Sequence, residues 1–149
     1  MIRQGFHIGD RDWWVMCYYD ICQPEDFDEV EEALLSAGRE LGEVDKDLFE
    51  LSGWNAGMTL TNFDGHYSLV FVGKATSAEE MYDTIQHELK HLTEHIGEYY
   101  GLDARGEESA YLQGELGRKM YPAAAIAVCP RCHTGSRASS TTFTEMPKK

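Results

Sequence analysis

Residues 77–101 read SAEEMYDTIQHELKHLTEHIGEYYG, and the fold is decided by whether this stretch is a helix. Its ends carry the signals. Ser77 followed by Glu80 is a capping box, which satisfies backbone N–H groups of the first turn. Gly101 supplies the left-handed residue that closes helices. With Met81 at zero and about 100° per residue, Met81, Ile85, Leu89, Leu92, Ile96 and Tyr99 fall within roughly 80° and form one core stripe. His87 and His91 land at about 240° and 280°, turned away from that stripe. Glu88 lies between the two regions.

Residues four apart sit one turn above each other, so His87 and His91 can offer two imidazole nitrogens to one ion, with Glu88 beside them. Five residues alone also fit a solvated charged face. A third ligand separates the readings, because a catalytic zinc site needs three protein ligands and one open position. The extended form H-E-x-x-H-x-x-G-x-x-H is absent, since Glu94 and Gly97 stand where its glycine and histidine are required. A second helix, predicted from GEESAYLQGELGRKMY at 106–121, offers a glutamate instead. Gly106 or Asp103 can start it and Pro122 is expected to close it. Glu107 shares a face with Ala110, Tyr111, Gly114 and Gly117; the small residues there permit close helix approach.

With these residues in view, the chain resembles the gluzincin metallopeptidases, in which H-E-x-x-H is followed by a helix carrying E-x-x-A or E-x-x-S. Glu107-Glu108-Ser109-Ala110 matches that pattern and puts Glu107 in the ligand place, with Glu108 as the alternative. The chain is most similar to small single-domain zinc peptidases of phages and mobile elements, where a glutamate precedes Ala-Tyr-Leu-x-Gly, here Ala110 to Gly114. The resemblance spans about residues 55–122. It implies a Zn²⁺ ion held by His87, His91 and Glu107, with Glu88 as general base and a peptide or protein as substrate. It also implies a tyrosine or histidine that stabilises the oxyanion, with Tyr111 the first candidate beside Tyr99 and Tyr100. One departure matters: larger gluzincins place an aspartate four residues after the ligand glutamate, and this chain has Tyr111. Asp83 and Thr84 are then the candidates to orient a zinc histidine. His95, about 12 Å along the axis from His87, is expected to line the cleft at most.

The remaining chain fits one α+β domain, with a small, mostly antiparallel sheet packed on the two helices. Its 149 residues suffice for a single modest core. WWVMCYYDI at 13–21 reads as a buried strand, broken by Pro24, and residues 26–41 as an amphipathic helix through Val30, Ala33, Leu34 and Ala37. Leu48 and Leu51 suggest a short helix. GMTLTN and HYSLVFV, joined through Asp64-Gly65, read as a β-hairpin. The resemblance makes that hairpin the substrate platform, although an ordinary sheet edge has the same sequence signature.

Lys plus Arg number 13 against 26 Asp plus Glu, a net charge of −13. Such a surface repels phosphate backbones and anionic membranes, so nucleic acid and membrane are not expected partners. The opening MIRQGFHIGD has no apolar leader core, and a cytoplasmic protein is expected. The domain is expected to end at 122, leaving 123–149 as an irregular tail. Cys129-Pro130-Arg131-Cys132-His133 matches a haem-attachment pattern, yet no axial ligand accompanies it. A four-cysteine zinc site with Cys17 and Cys22 is the alternative to free thiols. A second expectation for the whole chain is a zinc-stabilised binding protein of a phage or mobile element that cleaves nothing.

Overall fold

A computed structural model describes residues 1–9, 11–36, 57–128 and 141–144. In chain order the elements are β1 (Ile2–His7), β2 (Trp14–Ile21), α1 (Pro24–Ser36), β3 (Gly57–Asn62), β4 (Tyr67–Gly73), α2 (Ala78–Tyr100), α3 (Glu107–Ala127) and β5 (Thr141–Thr144). The strands form one sheet in the order β3-β4-β2-β1-β5. β1/β2 and β3/β4 pair antiparallel, while β2/β4 and β1/β5 pair parallel. The α+β class stands, but the sheet is mixed and not mostly antiparallel. A helical crossover returns the chain to β4 alongside β2, which the hairpin signal alone does not reveal.

Strand alternation divides the core into two layers. Val15, Cys17, Tyr19, Val70 and Val72 face the α2–α3 pair. Tyr18, Leu69 and Phe71 point the other way, towards Val30 and Leu34 of α1. The sheet is therefore covered on both faces. The apolar stripe of α2 is buried as its periodicity predicts, with Ile85, Leu92 and Ile96 fully enclosed. Tyr99 departs from that stripe: it is 43% exposed, and its hydroxyl lies 2.6 Å from His66 Nε2. His66 itself holds a left-handed φ of 55° and stacks on Trp13. The left-handed residue of the hairpin turn is thus His66 and not Gly65, whose N–H is taken by Asn62 Oδ1 at 2.7 Å.

Both predicted caps of α2 are present. Ser77 Oγ accepts from Glu80 N at 3.1 Å, and Gly101 adopts φ 68°. Glu80 completes the N-terminal arrangement by accepting from the N–H and hydroxyl of Thr76, at 2.8 and 2.7 Å. Gly106 starts α3 without a side-chain cap.

Two boundaries differ from expectation. Pro122 lies inside α3, which continues to Ala127. A helix-interior proline costs about 3 kcal/mol. Here burial of Met120, Ala123, Ala124 and Ala127 holds the helix together around an exposed ring. Residues 141–144, placed by sequence in a tail, pair with β1 as an edge strand. The expected helical residues 37–41, the segment with Leu48 and Leu51, and the Cys129–His133 motif lie outside the described residues. No helix among the described residues is long and apolar enough to cross a membrane.

Candidate metal and peptide site

The site is built where the outer face of α2 meets the edge strand β3. His87 and His91 are both exposed, and their Nε2 atoms lie 3.1 Å apart, with ring planes 70° from parallel. Two nitrogens each about 2.0–2.1 Å from a tetrahedral zinc are separated by roughly 3.4 Å. The helix therefore presents the two imidazoles within a few tenths of an ångström of that spacing, one ring bonding to the other.

Glu88 points into the gap between α2 and β3. Only 2% of it is exposed, and Thr59 Oγ1 donates to its Oε2 at 2.6 Å. Gly57 faces the same carboxylate: a Cβ there would sit 2.7 Å from Oε1. Burial raises the Glu88 pKa above the usual carboxylate value, opposed by the Thr59 hydrogen bond and by the charges of His87 and His91. His95, one turn beyond His91, has its Nδ1 2.9 Å from Thr61 Oγ1. Burial lowers its pKa and the charge of His91 adds to that, opposed by Glu98 and Glu94.

Gly57, Thr59 and Thr61 are alternate residues of β3 and so share the face turned to α2. The strand thereby touches Glu88 twice and His95 once. These three residues were not among the expected site residues, although the alternation G-x-T-x-T in GMTLTN is the signal that points to them.

Comparison with known proteins finds no matching family model, no matching curated protein and no matching solved structure. The resemblance to gluzincins thus stands on the quoted motifs alone, and their geometry decides what each residue can do.

Glu107 does not join the two imidazoles. Among the described residues no group of three or more His, Cys, Asp or Glu side chains is placed to hold a metal ion. The reason is the register of the helix hairpin. Leu89 packs against Gly117, and Tyr82 stacks on Tyr121. Glu107 is ten residues before Gly117, hence about 15 Å back along the axis towards the loop end. Leu89 is also about 160° round α2 from both histidines, so α3 packs on the opposite flank. Glu107 and Glu108 are both exposed at the first turn of α3. A three-ligand zinc site of His87, His91 and Glu107 is therefore not formed, and the residues present fit two positions of the ion.

Tyr111 is likewise remote. It is 73% exposed and lines a groove of about 1070 Å³ between α2 and α3, with Gln86, Leu89 and Tyr121, on the flank away from the imidazoles. It is not positioned to meet an oxyanion at His87 and His91. Tyr99 is engaged with His66, at the far end of α2. Neither proposed orienter is seen to hold His87: Asp83 is exposed, and the buried Thr84 hydroxyl has no hydrogen-bond partner among the described residues. Cys17 is enclosed in the core, where burial pushes its thiol up to about 12, and Cys22 is half-buried just past the end of β2.

Proposed function

We propose that the chain is a metal-dependent peptidase whose centre is His87-Glu88-His91. One observation carries the reading: two imidazole nitrogens converge at 3.1 Å on the outside of a helix, with a buried carboxylate on the neighbouring flank and an edge strand alongside. His87 and His91 would hold two positions of a zinc ion, which would supply Lewis acidity to a carbonyl and to bound water. Glu88 takes the proton from the attacking water and passes it to the leaving amine. β3 pairs with β4 on one side and is the edge strand among the described residues, which suits a peptide lying against it by backbone pairing. The buried free Cys17 suits a reducing cytoplasm.

Glu88→Gln tests the reading, since it preserves shape and removes the base. Retained zinc with lost hydrolysis across a peptide library supports it; retained turnover overturns it.

A second reading is favoured by the deep burial of Glu88 and by the position of Glu107: a metal-binding protein that cleaves nothing. Stoichiometric zinc without cleavage of any peptide or protein offered is its signature.

A further inference from the structure

Two imidazoles fill half of a tetrahedral zinc shell. His87 Nε2 and His91 Nε2 lie 3.1 Å apart on the exposed face of α2, and among the described residues no group of three or more His, Cys, Asp or Glu is placed to hold an ion. Nor can the same stripe of α2 supply the third ligand. Asp83 stands eight residues before His91 and His95 eight after His87, about 12 Å along the axis in each case and too far to share one ion with both rings. The site is half-built in one chain, and the built half faces outward.

We propose that a second copy of this chain completes the site, so that one zinc ion is held by His87 and His91 from each of two chains related by a twofold axis through the ion. The inference rests on the zinc-binding part of the peptidase reading and not on hydrolysis. Such an axis makes the contact isologous: the same two residues serve from both sides, and no other ligand is needed. The spacing suits it, because every edge of a tetrahedral zinc–nitrogen shell is roughly 3.4 Å and each copy brings one edge already set at 3.1 Å. Opposite edges of a tetrahedron are perpendicular, so the second pair of nitrogens crosses the first at a right angle.

Charge sets the condition for pairing. Asp83, Glu94 and Glu98 are exposed within about 60° of the midpoint of the histidine pair around α2, and each chain carries a net charge of −13. Two such faces repel each other, and a divalent cation between them offsets the repulsion where they meet. Zinc is therefore what joins the copies. A four-imidazole ion has no open position. In a single chain, water and a peptide carbonyl take the two positions that the second copy fills, so pairing and hydrolysis exclude each other at one ion.

Sedimentation of the full chain, with zinc as the only added ligand, reads the assembly, and equilibrium dialysis reads the stoichiometry. The expected result is a monomer in chelator, a dimer with one zinc per two chains on loading, and return to monomer when chelator is restored. Because two chains share each ion, the half-saturating free zinc is expected to fall about tenfold for each tenfold rise in chain concentration, whereas a site within one chain would not respond. His87→Ala and His91→Ala, at exposed positions that leave the core untouched, are expected to stay monomeric in zinc, and Glu107→Ala to pair as the wild type does. One zinc per monomer, an affinity independent of chain concentration, or a dimer that persists in His87→Ala overturns the proposal and leaves the peptidase reading standing. A zinc-linked dimer from a chain that cleaves no peptide at any concentration supports the proposal and overturns the peptidase reading.

Discussion

Thr59 Oγ1 donates to Glu88 Oε2 at 2.6 Å, so a strand hydroxyl holds the carboxylate of the residue that follows His87. Removing that donor leaves a buried acceptor unpaired. Thr59→Val should destabilise the fold by about 1–3 kcal/mol, and Thr59→Ser by much less. Denaturant midpoints of the three proteins compare the two; equal losses for Val and Ser would assign the effect to packing.

Glu88 also carries a pH signature. Its folded pKa is raised, so the folded state holds this proton more tightly than the unfolded chain does. The stability it contributes is therefore full below the unfolded pKa and is lost as pH rises through the folded pKa. In the metal-free protein, Glu88→Gln is expected to raise stability at pH values above the raised folded pKa, with the gain shrinking as the pH falls through that pKa and gone below the unfolded value of about 4.5. Thermal unfolding across that range measures it. A gain that grows in acid would contradict the buried-carboxylate assignment.

Two glycines should respond oppositely to alanine. At Gly57 a Cβ would lie 2.7 Å from Glu88 Oε1 and 2.8 Å from its Cγ, so Gly57→Ala should cost about 1–3 kcal/mol. At Gly114, inside α3, no atom of the described residues beyond its own stretch of helix lies within 4 Å of the added carbon. Gly114→Ala should stabilise by about 0.5–1 kcal/mol. The same denaturant series reads both.

Metal affinity separates the histidines from the glutamate of α3. His87→Ala and His91→Ala should each weaken zinc binding by more than the roughly 10–100-fold that loss of an outer-sphere partner costs. Glu107→Ala should leave it unchanged, because the side chain is displaced along and around the helix pair. Equilibrium dialysis with zinc decides; a large loss in Glu107→Ala would mean that the helices rearrange to bring the carboxylate in.

Pro122 offers a test of the extended α3. Its exposed ring removes one backbone donor from the middle of the helix. Pro122→Ala should stabilise by about 1–3 kcal/mol, read as a rise in thermal midpoint.

Sequence alone determined the local parts. The α2 helix, its caps, its buried stripe and the outward face of His87 and His91 all follow from residues within a turn or two of one another. The β3–β4 hairpin follows likewise from its alternation, though the left-handed residue is His66, one position past Gly65, where its ring stacks on Trp13. Helical periodicity gave Glu107 the right neighbours on its own helix but carries no information on register between helices. That register is set by Leu89 against Gly117 and Tyr82 against Tyr121, contacts between side chains some 28–39 residues apart. The assignments to Thr59, Thr61 and His95 have the same origin: strand and helix are each legible, but only tertiary packing decides which faces meet.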